Sequence, residues 1–86
     1  MSNTFIVYVL VSTQYSDRIY IGLTENLSQR INEHNSEKST YSSKYGPWKL
    51  AVYITFTQKE KAVKFEKYLK SGSGFSFLKR HFLNDY

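Results

Sequence analysis

The chain contains no cysteine, and this absence excludes several classes of site. Disulfides, thiolate metal sites and a cysteine nucleophile all need the thiol group. Small secreted domains usually depend on disulfides, so the absence favours a reducing compartment. The start of the chain also lacks the basic segment and the small-residue cleavage site of a signal peptide. We therefore expect a soluble, cytoplasmic protein.

Other familiar signatures are also missing. The apolar run at 5–11 is far shorter than the roughly 20 residues that a membrane-spanning helix needs. The sequence has no glycine-rich phosphate loop of the Walker type, no His/Cys cluster for zinc and no nucleophile-elbow sequence. We therefore predict no membrane partner. The sequence also gives no support for a phosphate-binding loop, a zinc cluster or a serine-hydrolase site.

The length and the aromatic content indicate one small domain, residues 1–86. A domain of this size buries only about 60–65% of the surface that its unfolded chain exposes, so its core must use large side chains. The 8 Tyr, 6 Phe and 1 Trp residues supply them.

The formal net charge of +5 is unevenly distributed. Residues 1–57 carry five basic and four acidic side chains, whereas residues 58–86 carry seven basic and three acidic ones. A basic half favours a polyanionic partner, most often nucleic acid. The alternative is a solvated helix face that lysines keep soluble, and charge alone does not separate the two.

The hydrophobic pattern predicts an α+β fold in which helices flank a three-stranded, largely antiparallel sheet, in the order β-β-α-β-α-α. Strands are expected at 5–11, about 18–23 and 49–56, and helices at about 25–35, 58–70 and 75–83. The third strand alternates, so four of its residues are predicted to share one face: Leu50, Val52, Ile54 and Phe56.

Helix boundaries are predicted from capping chemistry. Thr24 is the expected N-cap of the first helix. Thr57 is the expected N-cap of the second, with Glu60 completing a capping box. The segment 71–74, Ser-Gly-Ser-Gly, is expected to stop that helix.

Glu66 is the most informative candidate for chemistry. It borders the apolar stripe of the second helix, which consists of Ala62, Phe65 and Leu69. A carboxylate beside an apolar face should be paired or metal-bound, because burying it alone is costly. The spacing leaves two alternatives open for Glu66. One is an ion pair with Arg30 or a neighbouring lysine, and the other is a bound metal ion.

Arg30 and His34 lie one helical turn apart and flank the core stripe of the first helix. A guanidinium can grip a phosphate through two hydrogen bonds, and an imidazole can exchange a proton near neutral pH. A surface pair with a half-buried imidazole is the alternative.

Tyr8 and Tyr20 lie in the first two strands, where a tyrosine hydroxyl usually forms a hydrogen bond and nothing more. As a base, a tyrosine needs strongly charged neighbours, because its usual pKa is about 10.

Several short motifs occur in a fixed order along the chain. They are Ile6-Val7-Tyr8, Tyr20-Ile21-Gly22, Thr24-x-Asn26-Leu27-x-x-Arg30-x-x-x-His34, Pro47-Trp48-Lys49-Leu50 and Ala62-x-x-x-Glu66-x-x-Leu69-Lys70-Ser71-Gly72. This ordered set covers nearly the whole chain and resembles the GIY-YIG nuclease family, in particular its small stand-alone bacterial members. It is also similar to the nuclease domain of the nucleotide-excision-repair incision subunit.

The resemblance implies a metal-dependent DNA endonuclease that hydrolyses phosphodiester bonds, structure-selective and acting in DNA repair or recombination. Glu66 would hold one divalent cation, Mg²⁺ or Mn²⁺, since one carboxylate with water and substrate phosphate is a normal set of Mg²⁺ ligands. Tyr8 or Tyr20 would be the general base, and Arg30 would hold the scissile phosphate. His34 would assist proton transfer or phosphate positioning.

The expected partner is DNA, branched or single-stranded, with a further protein as a possible targeting partner. The side chains predicted to bind nucleic acid are Thr24, Asn26, Lys44, Tyr45, Lys70 and Lys79.

Two departures from the family pattern keep other functions open. Ile6 stands where the first motif has glycine, and the stretch 74–79 lacks the asparagine of larger members, with Asn84 farther along. The alternative is a nucleic-acid-binding module of the same fold with weak or no cleavage. A third possibility is a protein-interaction domain that uses the loop from Tyr41 to Trp48.

Overall fold

The computed structural model describes residues 3–36 and 44–83. Tyr41 and Asn84, two residues of interest in the sequence, lie outside this part of the chain. The described elements follow the predicted order: β1 Phe5–Ser12, β2 Ile19–Thr24, α1 Leu27–His34, β3 Trp48–Phe56, α2 Lys59–Lys70 and α3 Gly72–Phe82. The predicted α+β class is therefore confirmed. Across these residues no helix combines the length and apolarity needed to cross a bilayer.

The sheet has the order β2-β1-β3, and both pairings of the central strand β1 are antiparallel. Because side chains alternate along a strand, β1 presents Val7, Val9 and Val11 on one side and Tyr8 and Leu10 on the other. We call these sides the valine face and the tyrosine face. Helices α2 and α3 cover the valine face, whereas α1 lies on the tyrosine face.

The two faces form separate hydrophobic clusters. The buried residues of the valine face are Val7, Val9, Val11, Ile21, Ala62, Leu69, Leu78 and Leu83. Those of the tyrosine face are Tyr8, Leu10 and Trp48, against which Leu27 and Ile31 of α1 pack. Burying one such aliphatic side chain contributes about 1.5–3 kcal/mol, so the valine face holds most of the apolar stabilisation.

The expectation that Leu50 shares a face with Val52 was wrong, because β3 contains a bulge. Val9 pairs with Val52 and Leu10 pairs with Leu50, so Ala51 is an extra residue that interrupts the alternation. Leu50 consequently packs on the tyrosine face and Val52 on the valine face.

Two predicted helix caps were also wrong. Asn26 caps α1, and its side-chain oxygen accepts a hydrogen bond from the Gln29 backbone at 3.1 Å. Thr24 lies before the cap, where its hydroxyl oxygen accepts from the Asn26 backbone at 3.0 Å. Gln58, rather than Thr57, is the N-cap of α2, and no side-chain hydrogen bond caps this end. Asn and Thr are both favoured at an N-cap, and Thr24 is still the last residue of β2, so α1 begins after Asn26.

The segment 71–74 does not simply stop α2. Ser71 is both the C-cap of α2 and the N-cap of α3, and its hydroxyl oxygen accepts from the Gly74 backbone at 3.2 Å. Gly74 lies inside α3, where an added Cβ would overlap with the carbonyl of Tyr68. The glycine therefore allows α3 to turn tightly against the end of α2.

Candidate active site

Tyr8 lies at the centre of the tyrosine face and has no exposed surface. It pairs with Gly22 of β2, and its phenol ring lies directly over that glycine. A Cβ added at Gly22 would overlap with the ring and the hydroxyl of Tyr8. The last residue of the Tyr20-Ile21-Gly22 motif therefore makes room for the last residue of the Ile6-Val7-Tyr8 motif.

The Tyr8 hydroxyl forms a hydrogen bond with Nε2 of His34 at 2.8 Å. His34 is the last residue of α1 and is 2% exposed. Burial lowers the pKa of His34, and the positive charge of Arg30 lowers it further. The imidazole is therefore neutral at pH 7, and Nε2 can accept the phenolic proton. The other ring nitrogen, Nδ1, is buried and has no hydrogen-bond partner among residues 3–36 and 44–83.

Arg30 lies one turn before His34 and is partly exposed. Its Nη1 donates to Oε1 of Glu33 at 2.8 Å. Burial raises the pKa of Tyr8 above its usual value of about 10, and the nearby Arg30 guanidinium offsets only part of this rise. Tyr8 is therefore a neutral phenol in the resting protein, with a cation beside it.

Tyr20 is the more accessible of the two tyrosines. Its ring centroid lies 4.3 Å from that of His34 and 6.2 Å from that of Tyr8. Trp48 also approaches Tyr20 edge-on, with 6.4 Å between ring centroids. Tyr20 thus forms the outer wall of the Tyr8–His34 pair.

Glu66, the remaining candidate catalytic residue, lies on α2. Its side chain is 18% exposed, and Oε2 accepts from Nζ of Lys70 at 2.9 Å. Of the alternatives open from the sequence, the structure therefore contains the ion pair with a neighbouring lysine. The negative charge of Glu66 also acts on Tyr8 and raises the pKa of that phenol. The carboxylate is consequently part of the electrostatic neighbourhood of Tyr8.

Among the described residues, Glu66 is the one candidate ligand for a divalent cation, and it offers a single carboxylate. They contain no group of three or more His, Asp or Glu side chains that could hold a metal ion. This donor set fits Mg²⁺, which keeps several water ligands and often uses one protein carboxylate. Lys70 is half exposed, so its ammonium group can turn to solvent if a cation takes its place beside Glu66.

The residues predicted to bind nucleic acid divide into four groups, of which three lie near the tyrosine face or pair with Glu66. Thr24 and Asn26 build the turn into α1, as described above. Lys44 and Tyr45 lie together next to the tyrosine face, with Nζ of Lys44 5.6 Å from the Tyr45 ring centroid. Lys70 pairs with Glu66 at the candidate site.

Lys79 lies apart from these residues. Together with Val11 and Phe75 it lines a cleft of about 200 Å³ between α3 and the sheet. Val11 and Phe75 belong to the valine-face cluster. The structure therefore does not bring Lys79 to Tyr8.

Sequence reasoning missed two residues near Tyr45. The Arg18 guanidinium lies 4.3 Å from the centroid of the Tyr45 ring, and the Tyr15 ring meets Tyr45 edge-on at 5.5 Å. One signal was available for Arg18: it precedes Tyr20 by two residues, which in extended chain places both side chains on one face.

Comparisons with known proteins bear on the whole arrangement. The family model described as the GIY-YIG catalytic domain matches residues 4–80, a span that includes every candidate catalytic residue: Tyr8, Tyr20, Arg30, His34 and Glu66. The structure-specific endonuclease subunit SLX1 homolog of Giardia intestinalis is 38% identical over 68 residues. That alignment covers 72% of this chain and 19% of the Giardia protein, so the chain spans about a fifth of that relative.

A solved structure is similar over most of its length. The solution NMR structure of the UPF0213 protein BH0048 from Bacillus halodurans superposes with a TM-score of 0.55 and is 29% identical. The match covers 90% of this chain and 83% of that one.

Proposed function

This chain belongs to the GIY-YIG family of nuclease domains, and on that premise we propose that it is a metal-dependent DNA endonuclease. The observation that carries the proposal is the buried hydrogen bond between Tyr8 and His34, with Arg30 beside it. It joins a phenol, a neutral imidazole and a guanidinium, contributed by β1 and α1. These are groups that can move a proton and bind a phosphate.

The raised pKa of Tyr8 makes the phenolate scarce at neutral pH, and in the proposed step the neutral imidazole of His34 accepts the phenolic proton instead. In the proposed reaction Tyr8 takes a proton from the attacking water while its own proton passes to Nε2 of His34. The phenol is neutral before and after the step, and the imidazole becomes imidazolium. Tyr20, which is more exposed than Tyr8, lies beside this pair.

The hydroxide so formed attacks phosphorus, the P–O bond to the leaving oxygen breaks, and that oxygen takes a proton from solvent. Arg30 binds the scissile phosphate and stabilises the negative charge that develops on it. Glu66 would hold Mg²⁺ or Mn²⁺, a cation that stabilises the departing oxygen as a Lewis acid. Lys70 would have to release Glu66 for the carboxylate to hold the cation.

We further propose that the substrate is branched or partly single-stranded DNA, in repair or recombination in the cytoplasm. The name of the Giardia relative supports a structure-specific substrate, since it describes that protein as a structure-specific endonuclease subunit. The word subunit also supports a protein partner that targets the domain to its substrate.

The test is a nicking assay with the full chain on flapped, branched and linear DNA, with Mg²⁺ or Mn²⁺. We expect Glu66→Gln to slow nicking on the order of 100-fold or more, because it removes the charge that holds the cation. Glu60→Gln is the matched control, since Glu60 is an exposed carboxylate in the first turn of the same helix. Equal nicking by the wild type and Glu66→Gln would overturn the proposal.

One observation favours a second candidate, a nucleic-acid-binding module with weak or no cleavage. Glu66 is already paired with Lys70, and residues 74–79 contain no asparagine to add to the site. This candidate predicts DNA binding that weakens as salt rises and does not depend on added metal. Salt-dependent binding without nicking on any of the DNA substrates would select it.

A further inference from the structure

Four residues form a cationic aromatic surface at the end of the sheet where β1 turns into β2: Tyr15, Arg18, Lys44 and Tyr45. We call this set the platform. We propose that the platform stacks on and holds an unpaired nucleotide of the DNA strand that enters the Tyr8 site. This inference rests on the proposed nuclease function and assigns it a substrate with unpaired bases beside the cut.

Tyr45 is the centre of the platform. The guanidinium of Arg18 lies over its ring at 4.3 Å, and Nζ of Lys44 lies 5.6 Å from its centroid. The Tyr15 ring is nearly perpendicular to it, at an interplanar angle of 87°. Tyr15 is 46% exposed, and Arg18 and Lys44 are exposed as well. The surface thus presents the accessible Tyr15 ring beside Tyr45, and the two cations lie against the Tyr45 ring.

The platform is held in place by Ser12, a buried residue at the end of β1. Its hydroxyl donates to the Tyr45 carbonyl at 2.6 Å and accepts from the Tyr15 backbone at 3.0 Å. The Arg18 backbone donates to the Tyr15 carbonyl at 2.9 Å, which closes the turn. Hydrogen bonds therefore join two loops that are distant in sequence before any ligand binds. This lowers the conformational entropy that the loops lose on binding.

The platform is continuous with the candidate active site. Arg18 and Tyr20 are two residues apart in extended chain, so their side chains lie on the same face about 7 Å apart. That distance corresponds to roughly two bases at the 3.4 Å spacing along one strand. Asp17, the acidic residue of the turn, lines the cleft on the valine-face side and so leaves the platform cationic.

The chemistry of the platform selects an unpaired nucleotide. An accessible aromatic ring can stack on a base only when the face of that base is free, and in a duplex the bases cover one another. The Arg18 and Lys44 side chains, which lie against the neighbouring Tyr45 ring, suit phosphates next to the stacked base. A fully paired duplex would contact only the two cations.

The experiment measures the affinity of the full chain, carrying Glu66→Gln to prevent cleavage, for two DNAs. One is a duplex with a single-stranded flap, and the other is the fully paired duplex of equal length. Tyr15→Ala should weaken binding to the flapped DNA about tenfold, the scale of one base stacked on an aromatic ring, and leave binding to the paired duplex within about twofold.

Two further variants sharpen the measurement. Tyr15→Phe keeps the ring and should retain wild-type affinity. Tyr68→Ala removes a tyrosine of similar exposure, 41%, from α2 and should leave both affinities unchanged. A fluorescent adenine analogue placed at successive flap positions should be quenched at the stacked base, and Tyr15→Ala should abolish that quenching.

Three results would overturn the inference, and they separate it from the proposed function. The first is that Tyr15→Ala and Tyr68→Ala bind flapped DNA with equal affinity. The second is that Tyr15→Ala loses as much affinity for the paired duplex as for flapped DNA. If nicking still depends on Glu66, either result refutes the role of the platform and leaves the proposed function standing. Failure of the otherwise unaltered chain to bind any of these DNAs removes the platform and the proposed function together.

Discussion

Alternate residues of β1 form the two faces of the sheet, yet the side chains buried on the two faces differ in chemical type. On the valine face the buried residues are aliphatic. On the tyrosine face lie Tyr8, Trp48 and the buried polar side chains Ser12 and His34. Buried polar groups cost free energy unless they are hydrogen-bonded, and Nδ1 of His34 has no partner in the described part of the chain. The comparison indicates that one face stabilises the fold and the other carries the chemistry.

The largest expected effect on stability comes from the valine face. Leu69→Ala truncates a side chain that is 1% exposed, and we expect the free energy of unfolding to fall by about 2–5 kcal/mol. Urea unfolding measures this, with Lys67→Ala on the exposed side of the same helix as the control. Nicking per folded molecule should stay at the wild-type rate. A specific loss of nicking in the still-folded variant would break the division between the faces.

A smaller effect is expected at the contact between the two motifs. Gly22→Ala forces a Cβ into the Tyr8 ring, so unfolding should become easier by about 1–3 kcal/mol and nicking should fall with it. Gly72→Ala is the matched control, because an added Cβ there meets no atom within 4 Å. That variant should be neutral or more stable by up to about 1 kcal/mol. Normal nicking by Gly22→Ala would show that the position of the Tyr8 ring does not matter.

Tyr8→Phe should separate chemistry from stability most cleanly. The ring remains, but Nε2 of His34 loses its partner, which costs about 1–2 kcal/mol of stability. Nicking should fall on the order of 100-fold or more, because proton transfer to His34 is lost. Tyr53→Phe is the control: Tyr53 pairs with Tyr8 in the neighbouring strand and is exposed. Comparable nicking by the two variants would contradict the assigned role of Tyr8.

The smallest effect is a pH dependence that belongs to the tyrosine face. Because burial lowers the pKa of His34 in the folded state, the unfolded chain binds the proton first as the pH falls below 6.5. The His34 contribution to stability is therefore complete above pH 6.5 and is lost between 6.5 and the lower folded-state value. Urea unfolding from about pH 7.5 to 5.5 should show this decline, and His34→Gln should reduce its slope. His81→Gln removes the exposed histidine and should keep the wild-type slope of stability against pH. Identical slopes for the two variants would refute the assignment of this slope to His34.

Much of the fold was predictable because it depends on local periodicity. A run of β-branched and aromatic residues indicated β1, alternating apolar residues indicated β3, and the helical repeat of Ala62, Phe65 and Leu69 indicated the buried stripe of α2. The errors occurred where two local preferences compete. Thr24 and Asn26 are both good caps, and the point at which β2 ends decided between them. The bulge at Ala51 left no signal in the alternation of β3, and it was enough to move Leu50 to the other face.

The sequence by itself determined which residues could meet: alternation placed Tyr8 opposite the valines, and helix spacing placed Arg30 and His34 on one side of α1. Only the tertiary structure decided that they do meet. The Tyr8–His34 bond joins residues 26 positions apart, and its length depends on how α1 packs across the sheet. The contact of Tyr8 with Gly22 was decided at the same level. Such contacts depend on the relative placement of whole elements, which periodicity within one element does not specify.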